Sequence, residues 1–323
     1  MTFPCGLDRQ SRWLIFATTA SIAIIVSWVY FTRVELPSFS ARFELHQEII
    51  AGTAGSPYRY RVFIPYLAEA FSQAAKGFGV SDKYAFLLSY SLINVVFINL
   101  FLVLAYGLFR FFYSQKSSLI GVLFIGCMIH IGLQDHEFQP WSVPEAAFFV
   151  AALILLKSNR EKFLLPLVLV SSLNRETGVL IVILAFLILL PDAREAEKLR
   201  KLRPALIALF AWCVVFAGLR LWLGGAAHVT SVLELWERNL QMTSLLRTLF
   251  NVVLVLGGWW AVLFYVVTHY QLDRFISRSW LILPFYLPLV IIFGVWFEVR
   301  LLFPLYPLMV ATCLVAFERG LQK

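Results

Sequence analysis

Long apolar segments recur along the whole chain and leave little room for a water-soluble fold. Of the 323 residues, 60% are hydrophobic and only 14% are charged. A soluble protein could not bury that much apolar surface, so the sequence predicts an all-α polytopic membrane protein of about ten transmembrane helices. The apolar segments are 13–31, 84–112, 119–133, 143–156, 163–173, 177–190, 204–223, 249–268, 280–296 and 301–317.

Two neighbouring segments, 163–173 and 177–190, are too short to cross a hydrocarbon core of about 30 Å as straight helices. We therefore expect a hairpin of short spans whose tip, around Asn174, Arg175 and Glu176, stops inside the outer region of the membrane. Irregular backbone at that depth is tolerated only where protein or a wet cavity covers it.

Lysine and arginine are concentrated in alternate loops, which fixes the expected orientation. By the positive-inside bias these loops and both termini are cytoplasmic, in the inner membrane if the protein is bacterial. The same loops account for the net charge of +8, so no nucleic-acid partner is needed to explain it. The first segment is expected to be a retained signal anchor. The basic loops contain Arg9, Arg12, Arg110, Lys116, Lys157, Arg160, Lys162, Arg194–Arg203, Arg274, Arg278, Arg319 and Lys323.

The chain is expected to form a single transmembrane domain, 1–323, with two long extracytoplasmic loops, 32–83 and 224–248. In the first loop Ile64, Leu67, Ala68, Phe71, Ala75 and Phe78 recur at helical spacing. This pattern predicts an amphipathic helix lying in the membrane interface. The second loop predicts another interfacial helix, anchored by Trp236.

Charged residues cluster at the ends of apolar segments in five places: 44–48, 59–61, 135–137, 174–176 and 298–300. Ionisable groups are costly at such depth and usually mark function. Since the expected topology places all five on the extracytoplasmic side, we expect them to line one polar site.

The first cluster offers carboxylates suited to general-base chemistry. Glu44 and Glu48 are four residues apart and would share one helix face, with His46 turned away. A carboxylate at the mouth of an apolar cavity can accept a proton from a nucleophile. The alternative is a solvated loop helix.

The second cluster, Arg59-Tyr60-Arg61, follows Tyr58 in a loop that contains Gly52, Gly55 and Pro57. Two arginines there could grip a phosphate or diphosphate through bidentate hydrogen bonds. The alternative is that they reach out to lipid headgroups.

The third cluster is Asp135, His136 and Glu137, which could bind a divalent cation or supply a second acid–base group. Adjacent residues rarely all face one ion, so no metal site is assigned. The scattered cysteines and the missing CxxC pairs likewise indicate neither a zinc site nor disulfides.

The last two clusters carry opposite charges in apolar surroundings, where burying an unpaired charge would carry a severe free-energy cost. Glu298 and Arg300 could pair with Arg175 and Glu176 as a purely structural network. The alternative is that the arginines bind a substrate.

Three of these regions resemble the GT-C superfamily of integral-membrane glycosyltransferases. Residues 49–59, with Gly52 ahead of Pro57-Tyr58, are similar to the stretch that follows the first-loop acid in that family. Residues 174–178 and 298–307 are similar to its later motifs, a basic residue where short spans meet and a Glu-x-Arg before a Pro-rich run. The first-loop acid is usually Asp, and here Glu44, Glu48 or Glu35 must replace it, or Asp135 or Glu137 supplies the base.

The resemblance implies an inverting transferase that takes a sugar from a polyprenyl-phosphate donor to an unknown extracytoplasmic acceptor. Glu44 would be the base, with Asp135 or Glu137 as second choices. Arg59, Arg61, Arg175 and Arg300 would hold the phosphate, oriented by Glu176 and Glu298. The substrate-binding set also includes Tyr58, His46, Glu48 and His136.

Two other classes of function fit the same composition. One is a multi-pass transporter or flippase for a lipid-linked or anionic solute, although the chain shows no internal repeat of the kind many carriers have. The other is a non-enzymatic membrane subunit whose charges only lock helices. No P-loop, Rossmann glycine pattern, HExxH or GxSxG motif points to other chemistry.

Overall fold

The computed structural model describes residues 9–133, 139–192, 198–225, 231–251 and 257–320, and in these ranges the long elements are all helices. The α-helices are α1 (Arg9–Tyr30), α2 (Phe39–Ile50), α3 (Phe63–Gly77), α4 (Asp82–Phe109), α5 (Gln115–Gly132), α6 (Ser142–Lys157), α7 (Leu164–Asn174), α8 (Val179–Leu189), α9 (Lys198–Leu223), α10 (Val232–Leu240), α11 (Met242–Thr248), α12 (Gly257–His269), α13 (Arg274–Ser279), α14 (Leu283–Phe293) and α15 (Tyr306–Gly320).

Six helical segments of the described chain are long and apolar enough to cross a membrane. This confirms the prediction of a polytopic helical membrane protein. The remaining apolar helices are shorter: α6 has 16 residues and spans about 24 Å at 1.5 Å per residue. The count of about ten spans therefore stays a prediction. The six segments are Gln10–Glu35, Asp82–Phe109, Gln115–Gly132, Arg200–Leu223, Arg274–Phe293 and Val299–Arg319.

Helix α4 lies at the centre of one half of the bundle. It is apolar on every side and contacts α1, α3, α5 and α6. A helix that is hydrophobic all round is typical of a protein core or a membrane span, and the face of α4 that packs on these neighbours is buried. Phe101, Ile98 and Leu102 accordingly have almost no exposed area.

The predicted hairpin of short helices is confirmed. Helices α7 and α8 have 11 residues each and are joined by a tip at 175–178. Arg175 breaks the helix because its backbone is extended, with φ −162° and ψ 147°. Gly178 lets the tip fold closely, since a Cβ there would lie 3.1 Å from the backbone N of Ser172.

The first long loop forms α2 and α3, and α3 packs on α4. Of the predicted apolar face of α3, Ile64 and Ala68 are buried. Phe71 and Phe78 are 42% and 90% exposed, so the buried face is narrower than the sequence pattern suggested. Whether these rings enter a membrane interface stays a prediction.

The second long loop forms α10 and α11 within residues 231–251. Helix α10 begins at Ser231, whose hydroxyl accepts from the Glu234 N–H while the Glu234 carboxylate accepts from the Ser231 N–H. This reciprocal cap satisfies two backbone donors at the helix start. Trp236 contacts the ring of Trp296, so the helix rests against the turn after α14.

The turns of the bundle lie at two ends. At the basic end, Lys157 Nζ lies 3.4 Å from Asp273 Oδ1, and the Ser114 hydroxyl donates to Glu318, 3.0 Å away. At the opposite end, here called the loop end, the first long loop meets both the hairpin tip and the start of the second long loop. Arg59 donates to the Gly225 carbonyl there, at 3.3 Å. Which end faces the cytoplasm stays a prediction.

The close approach of α5 to the 3₁₀ segment Val299–Leu305 depends on Gly132. A Cβ at this position would lie 2.7 Å from Phe303 Cζ, and Phe303 is fully buried. Small residues allow such close helix contacts in membrane bundles. We expect Gly132→Ala to lower the free energy of unfolding by about 1–3 kcal/mol, as overpacked cores do.

Thermal unfolding of the purified protein in detergent measures this effect. Gly218→Ala is the matched control, because a Cβ at this position in α9 meets no atom within 4 Å. The control should be neutral or slightly stabilising. Equal melting temperatures for the two variants would contradict the packing described for Gly132.

Candidate functional site

Two partly buried ion pairs lie at the loop end and form what we call the loop-end cluster: Arg61, Glu145, Arg175 and Glu176. The Arg61 Nε donates to Glu176 Oε2 at 3.2 Å, and the Arg175 Nη1 donates to Glu145 Oε2 at 2.6 Å. The two arginines also repel one another through space. The cluster therefore brings together the first loop, α6 and the hairpin tip.

Three side chains, two indoles and one amide, hold the cluster in place by donating hydrogen bonds to backbone carbonyls. Trp141 Nε1 donates to the Arg61 carbonyl at 3.1 Å, and Asn174 Nδ2 donates to the Trp141 carbonyl at 3.0 Å. Trp212 Nε1 on α9 donates to the Glu176 carbonyl, also at 3.0 Å. Trp141 and Asn174 are completely buried, so these bonds are shielded from water.

The guanidinium of Arg61 also faces two aromatic rings. Its Cζ lies 5.7 Å from the centroid of Tyr58 and 5.4 Å from that of Trp141, and the two rings stack on each other. Burial lowers the pKa of Arg61, while the negative charge of Glu176 acts in the opposite direction. An arginine remains charged under such conditions because its unperturbed pKa is so high.

Several polar atoms of the cluster are buried without a hydrogen-bond partner in the described chain. They are Arg175 Nε, Glu176 Oε1 and Asn174 Oδ1. Buried polar groups normally find a partner, so such atoms can accept or donate to a water or a ligand. The cluster thus keeps unused hydrogen-bonding capacity of both kinds.

In this conformation the space beside Glu145 is small. The Thr177 hydroxyl donates to Glu145, and both line a cavity of about 10 Å³ with Ser171 and Tyr286. That volume holds one water molecule at most. Any substrate reaching Arg175 must therefore displace side chains or arrive from the Arg61 side.

The cross-pairing that was one of two alternatives for the last two clusters is not seen among the described residues. Arg300 donates to Glu298 within its own turn, with Nη2 2.8 Å from Oε2, and both side chains are buried. Arg175 and Glu176 instead bind Glu145 and Arg61. The reason is local geometry: the extended Glu298 backbone lets two side chains two residues apart turn toward each other.

Arg59 lies apart from the ion pairs and contacts the start of the second loop. Besides the hydrogen bond from Arg59, the Tyr60 hydroxyl donates to the Gly224 carbonyl at 3.0 Å. The Arg220 guanidinium stacks over the Tyr60 ring at 4.5 Å. These contacts tie the first loop to α9. A phosphate-binding role for Arg59 stays a prediction.

Helix α2 presents its residues as the sequence predicted, with Glu44 and Glu48 exposed and His46 buried. The side chains of Glu44 and Glu48 make no hydrogen bond or ion pair within the described chain. His46 Nδ1 lies 2.9 Å from the Tyr90 hydroxyl and Nε2 lies 2.9 Å from Glu69 Oε2. His46 thus connects α2 to both α4 and α3.

Burial lowers the pKa of His46, and the repulsion of Lys76 adds to this, whereas Glu69 opposes it. The ring is therefore neutral near pH 7. It donates from Nε2 to Glu69 and accepts at Nδ1 from Tyr90. For Glu69, burial raises the pKa, but hydrogen bonds from Gln73 and His46 outweigh it and lower the pKa overall.

A second buried pair lies at the end of the first span. Glu35, weighed above as an alternative base, is 2% exposed and lies 3.6 Å from Arg42. It accepts from Ser91 at 3.0 Å and from Asn94 at 3.1 Å. These contacts join α1 to α4, and the carboxylate has no open side from which an acceptor could approach.

The predicted residues Asp135, His136 and Glu137 lie outside the described residues, so their roles as base, ligand or cation site stay predictions. Within the described ranges no three His, Cys, Asp or Glu side chains group as a metal site would require. A dependence on a divalent cation is therefore neither assigned nor tested.

The sequence reasoning missed Glu145, Glu69 and Trp141. Glu145 is the one acid of the apolar helix α6, and a lone carboxylate among such neighbours must find a cation. That signal was readable in the sequence. In the sequence, Glu69 belongs to the polar face of an amphipathic helix. Its partner, His46, is identified only by the folded structure.

Comparison of the chain with family models, with curated proteins and with solved structures gives no match. The resemblance to GT-C glycosyltransferases therefore rests on its motif residues alone. Of its three stretches, 174–178 contributes Arg175 and Glu176 to the loop-end cluster, and 49–59 ends two residues before Arg61, which pairs with Glu176.

Because the pKa of His46 is lowered on folding, the unfolded chain binds a proton more readily below its ordinary pKa of about 6.5. The stabilisation is fully present above that pH and decreases as the pH falls below it. We expect the melting temperature to drop between pH 7 and pH 5. His46→Gln should lower stability at pH 7 but remove part of this pH dependence. An unchanged pH profile in the variant would contradict the neutral, buried His46.

The ion pair between Arg175 and Glu145 is tested by a double-mutant cycle. Glu145→Leu leaves Arg175 buried without its carboxylate and should lower the free energy of unfolding by about 3–5 kcal/mol. Arg175→Met in addition should recover much of that loss, since no uncompensated charge remains. Chemical unfolding in detergent measures both, and purely additive effects would contradict direct pairing.

Proposed function

We propose that this protein is an integral-membrane glycosyltransferase of the GT-C type, with about ten spans. It would transfer a sugar from a polyprenyl-phosphate donor to an acceptor on the extracytoplasmic side, with inversion. The loop end would be that side and would form the cell-envelope face of the enzyme. This proposal joins the motif resemblance to the architecture of a polytopic helical membrane protein.

The observation that carries the proposal is the convergence of Arg61 and Arg175 at the loop end, each held by one carboxylate. Arg61 uses only its Nε toward Glu176, and the Nε of Arg175 is buried without a partner. Donors fixed in advance toward an anion bind it without reorganisation. A lipid phosphate that binds between α3 and the hairpin tip could accept hydrogen bonds from these N–H groups.

The reaction itself needs a base and a leaving-group site. A carboxylate would take the proton from the acceptor, and the acceptor would form a bond to the anomeric carbon. On the opposite face the bond from that carbon to the phosphate oxygen would break, and the polyprenyl phosphate would leave with the electron pair. Arg61 and Arg175 would stabilise the added negative charge on the phosphate.

Glu44 is the proposed base because its carboxylate is exposed at the loop end and has no partner in the described chain. Glu35, by contrast, is enclosed by Arg42, Ser91 and Asn94. Asp135 and Glu137 are the alternatives. Glu48 shares the exposed face of α2 and would contribute to acceptor binding.

Transfer activity in proteoliposomes tests the proposal. The substrates are a panel of polyprenyl-phosphate hexoses and pentoses, with product detection by mass spectrometry. We expect Glu44→Gln to lower the rate by about 10²- to 10⁴-fold, the usual contribution of a general base. Arg175→Lys should raise KM for the donor, since lysine loses the planar fork.

The control is Glu237→Gln, an exposed carboxylate on α10 at the same end, which should leave the rate unchanged. Full activity of both Glu44→Gln and Asp135→Asn would rule out Glu44 and Asp135 as the catalytic base. Solute uptake by the proteoliposomes without any covalent product would instead favour a transporter.

A further inference from the structure

Two of the three fully buried side chains of α2 are basic. The three are Arg42, His46 and Ile49, which recur at helical spacing and share one face. The rings of Phe39 and Phe43 add half-buried apolar contacts beside them. A helix on a protein surface usually buries an apolar stripe. The attachment of α2 therefore depends on the charge state of polar contacts as well as on apolar packing.

The contact of Arg42 is insensitive to pH on the arginine side. Its Nη2 donates to the Tyr30 hydroxyl at 3.0 Å and lies 3.6 Å from Glu35 Oε1. An arginine stays charged throughout the physiological range, whereas a histidine changes its charge there. Of the two basic side chains that α2 buries, His46 is thus the one whose charge can be switched.

His46 uses both ring nitrogens to join α2 to its neighbours, Nδ1 toward Tyr90 on α4 and Nε2 toward Glu69 on α3. A protonated imidazole has a hydrogen on each nitrogen, so the Tyr90 hydroxyl could no longer donate to Nδ1. The ring is only 1% exposed, and its protonation would place a charge in a buried position. The contact is therefore built for the neutral ring.

The charged groups around His46 do not cancel the effect of burial. Burial lowers the pKa of His46, Glu69 raises it, and Lys76 lowers it further, so the pKa falls overall. A ring released from this position would regain its ordinary pKa of about 6.5. Around the contact lie Glu69 and Lys76 on α3, Asp82, Lys83 and Tyr90 on α4, Arg42 on α2, and Glu35 and Tyr30 at the end of the first span.

Both ends of α2 are flanked by irregular backbone. Residues 36–38 form a turn before the helix, and Gly52, with φ 68°, follows it. A few residues at the end of an element can absorb the φ and ψ changes of a hinge. Helix α2 can therefore move away from α3 and α4 without unwinding either of them.

We propose that His46 is a pH-sensitive latch for α2: the neutral ring holds the helix against α3 and α4, and protonation releases it. The latch is fully closed above a pH of about 6.5 and weakens as the pH falls, because the released state binds the proton more tightly. The proposal does not depend on the proposed function. If Glu44 is the catalytic base, the release of α2 would also move that carboxylate.

Thiol labelling of the full-length protein in lipid nanodiscs tests this. The probe is Ile49→Cys, on the buried face of α2, in a background whose four native cysteines are replaced by alanine. Its labelling rate is divided at each pH by that of the exposed Gln47→Cys, which corrects for thiol reactivity. Between pH 7.5 and pH 5 the ratio should rise by about 3- to 30-fold, the upper limit being that of a histidine with its ordinary pKa once released. A rise below about twofold would overturn the proposal.

Two variants assign the effect to the latch. His46→Gln can still donate to Glu69 but does not titrate, so its ratio should change less than about twofold over the same range. Glu69→Gln removes the charge that favours protonated His46, and should bring the rise closer to the 30-fold limit. A full pH response in His46→Gln, or a smaller rise in Glu69→Gln than in the unchanged latch, would contradict the proposal.

Two matched controls separate local release from other effects of acid. Glu48→Gln removes an exposed acid from the same helix and should leave the pH response of Ile49→Cys unchanged. Ala105→Cys lies in the core of α4 with no exposed area and should stay protected at both pH values. Equal labelling of Ala105→Cys and Ile49→Cys at pH 5 would show global unfolding and would overturn a local latch.

Discussion

The pairing of two arginines with two carboxylates, all largely shielded from water, is the interaction on which the loop end depends. In a low-dielectric interior an unpaired charge is far too costly to retain, so Arg61 and Arg175 must each lie beside an acid. Glu176 and Glu145 supply those acids from the hairpin tip and from α6. The first loop, α6 and the short helices α7 and α8 are therefore fixed relative to one another by charge as well as by packing.

Under the proposed function, the same pairing would prepare the arginines for an anion. Each carboxylate holds one edge of its guanidinium, which leaves other N–H groups oriented and unused. A phosphate can join such a pair without breaking it, since an arginine has five donors in a fixed fork.

Much of the fold could be predicted from the sequence because hydrophobic periodicity determines helix positions. The short hairpin followed from the length of two apolar segments, and the exposed Glu44 and buried His46 followed from helical spacing. Pair identities could not be predicted. Glu298 and Arg300 join each other, and Arg175 joins Glu145, because partner choice depends on how distant helices pack. The buried face of α3 was overestimated for the same reason, since Phe71 and Phe78 stay 42% and 90% exposed.

The proposed function requires the loop-end cluster to bind a lipid phosphate. An experimental structure of the protein with bound polyprenyl phosphate in a lipid nanodisc tests it most directly. We expect phosphate oxygens within hydrogen-bond distance of Arg61 and Arg175, with Glu145 and Glu176 still in contact with their arginines. A phosphate bound elsewhere, with both ion pairs closed and no oxygen near either arginine, would contradict it.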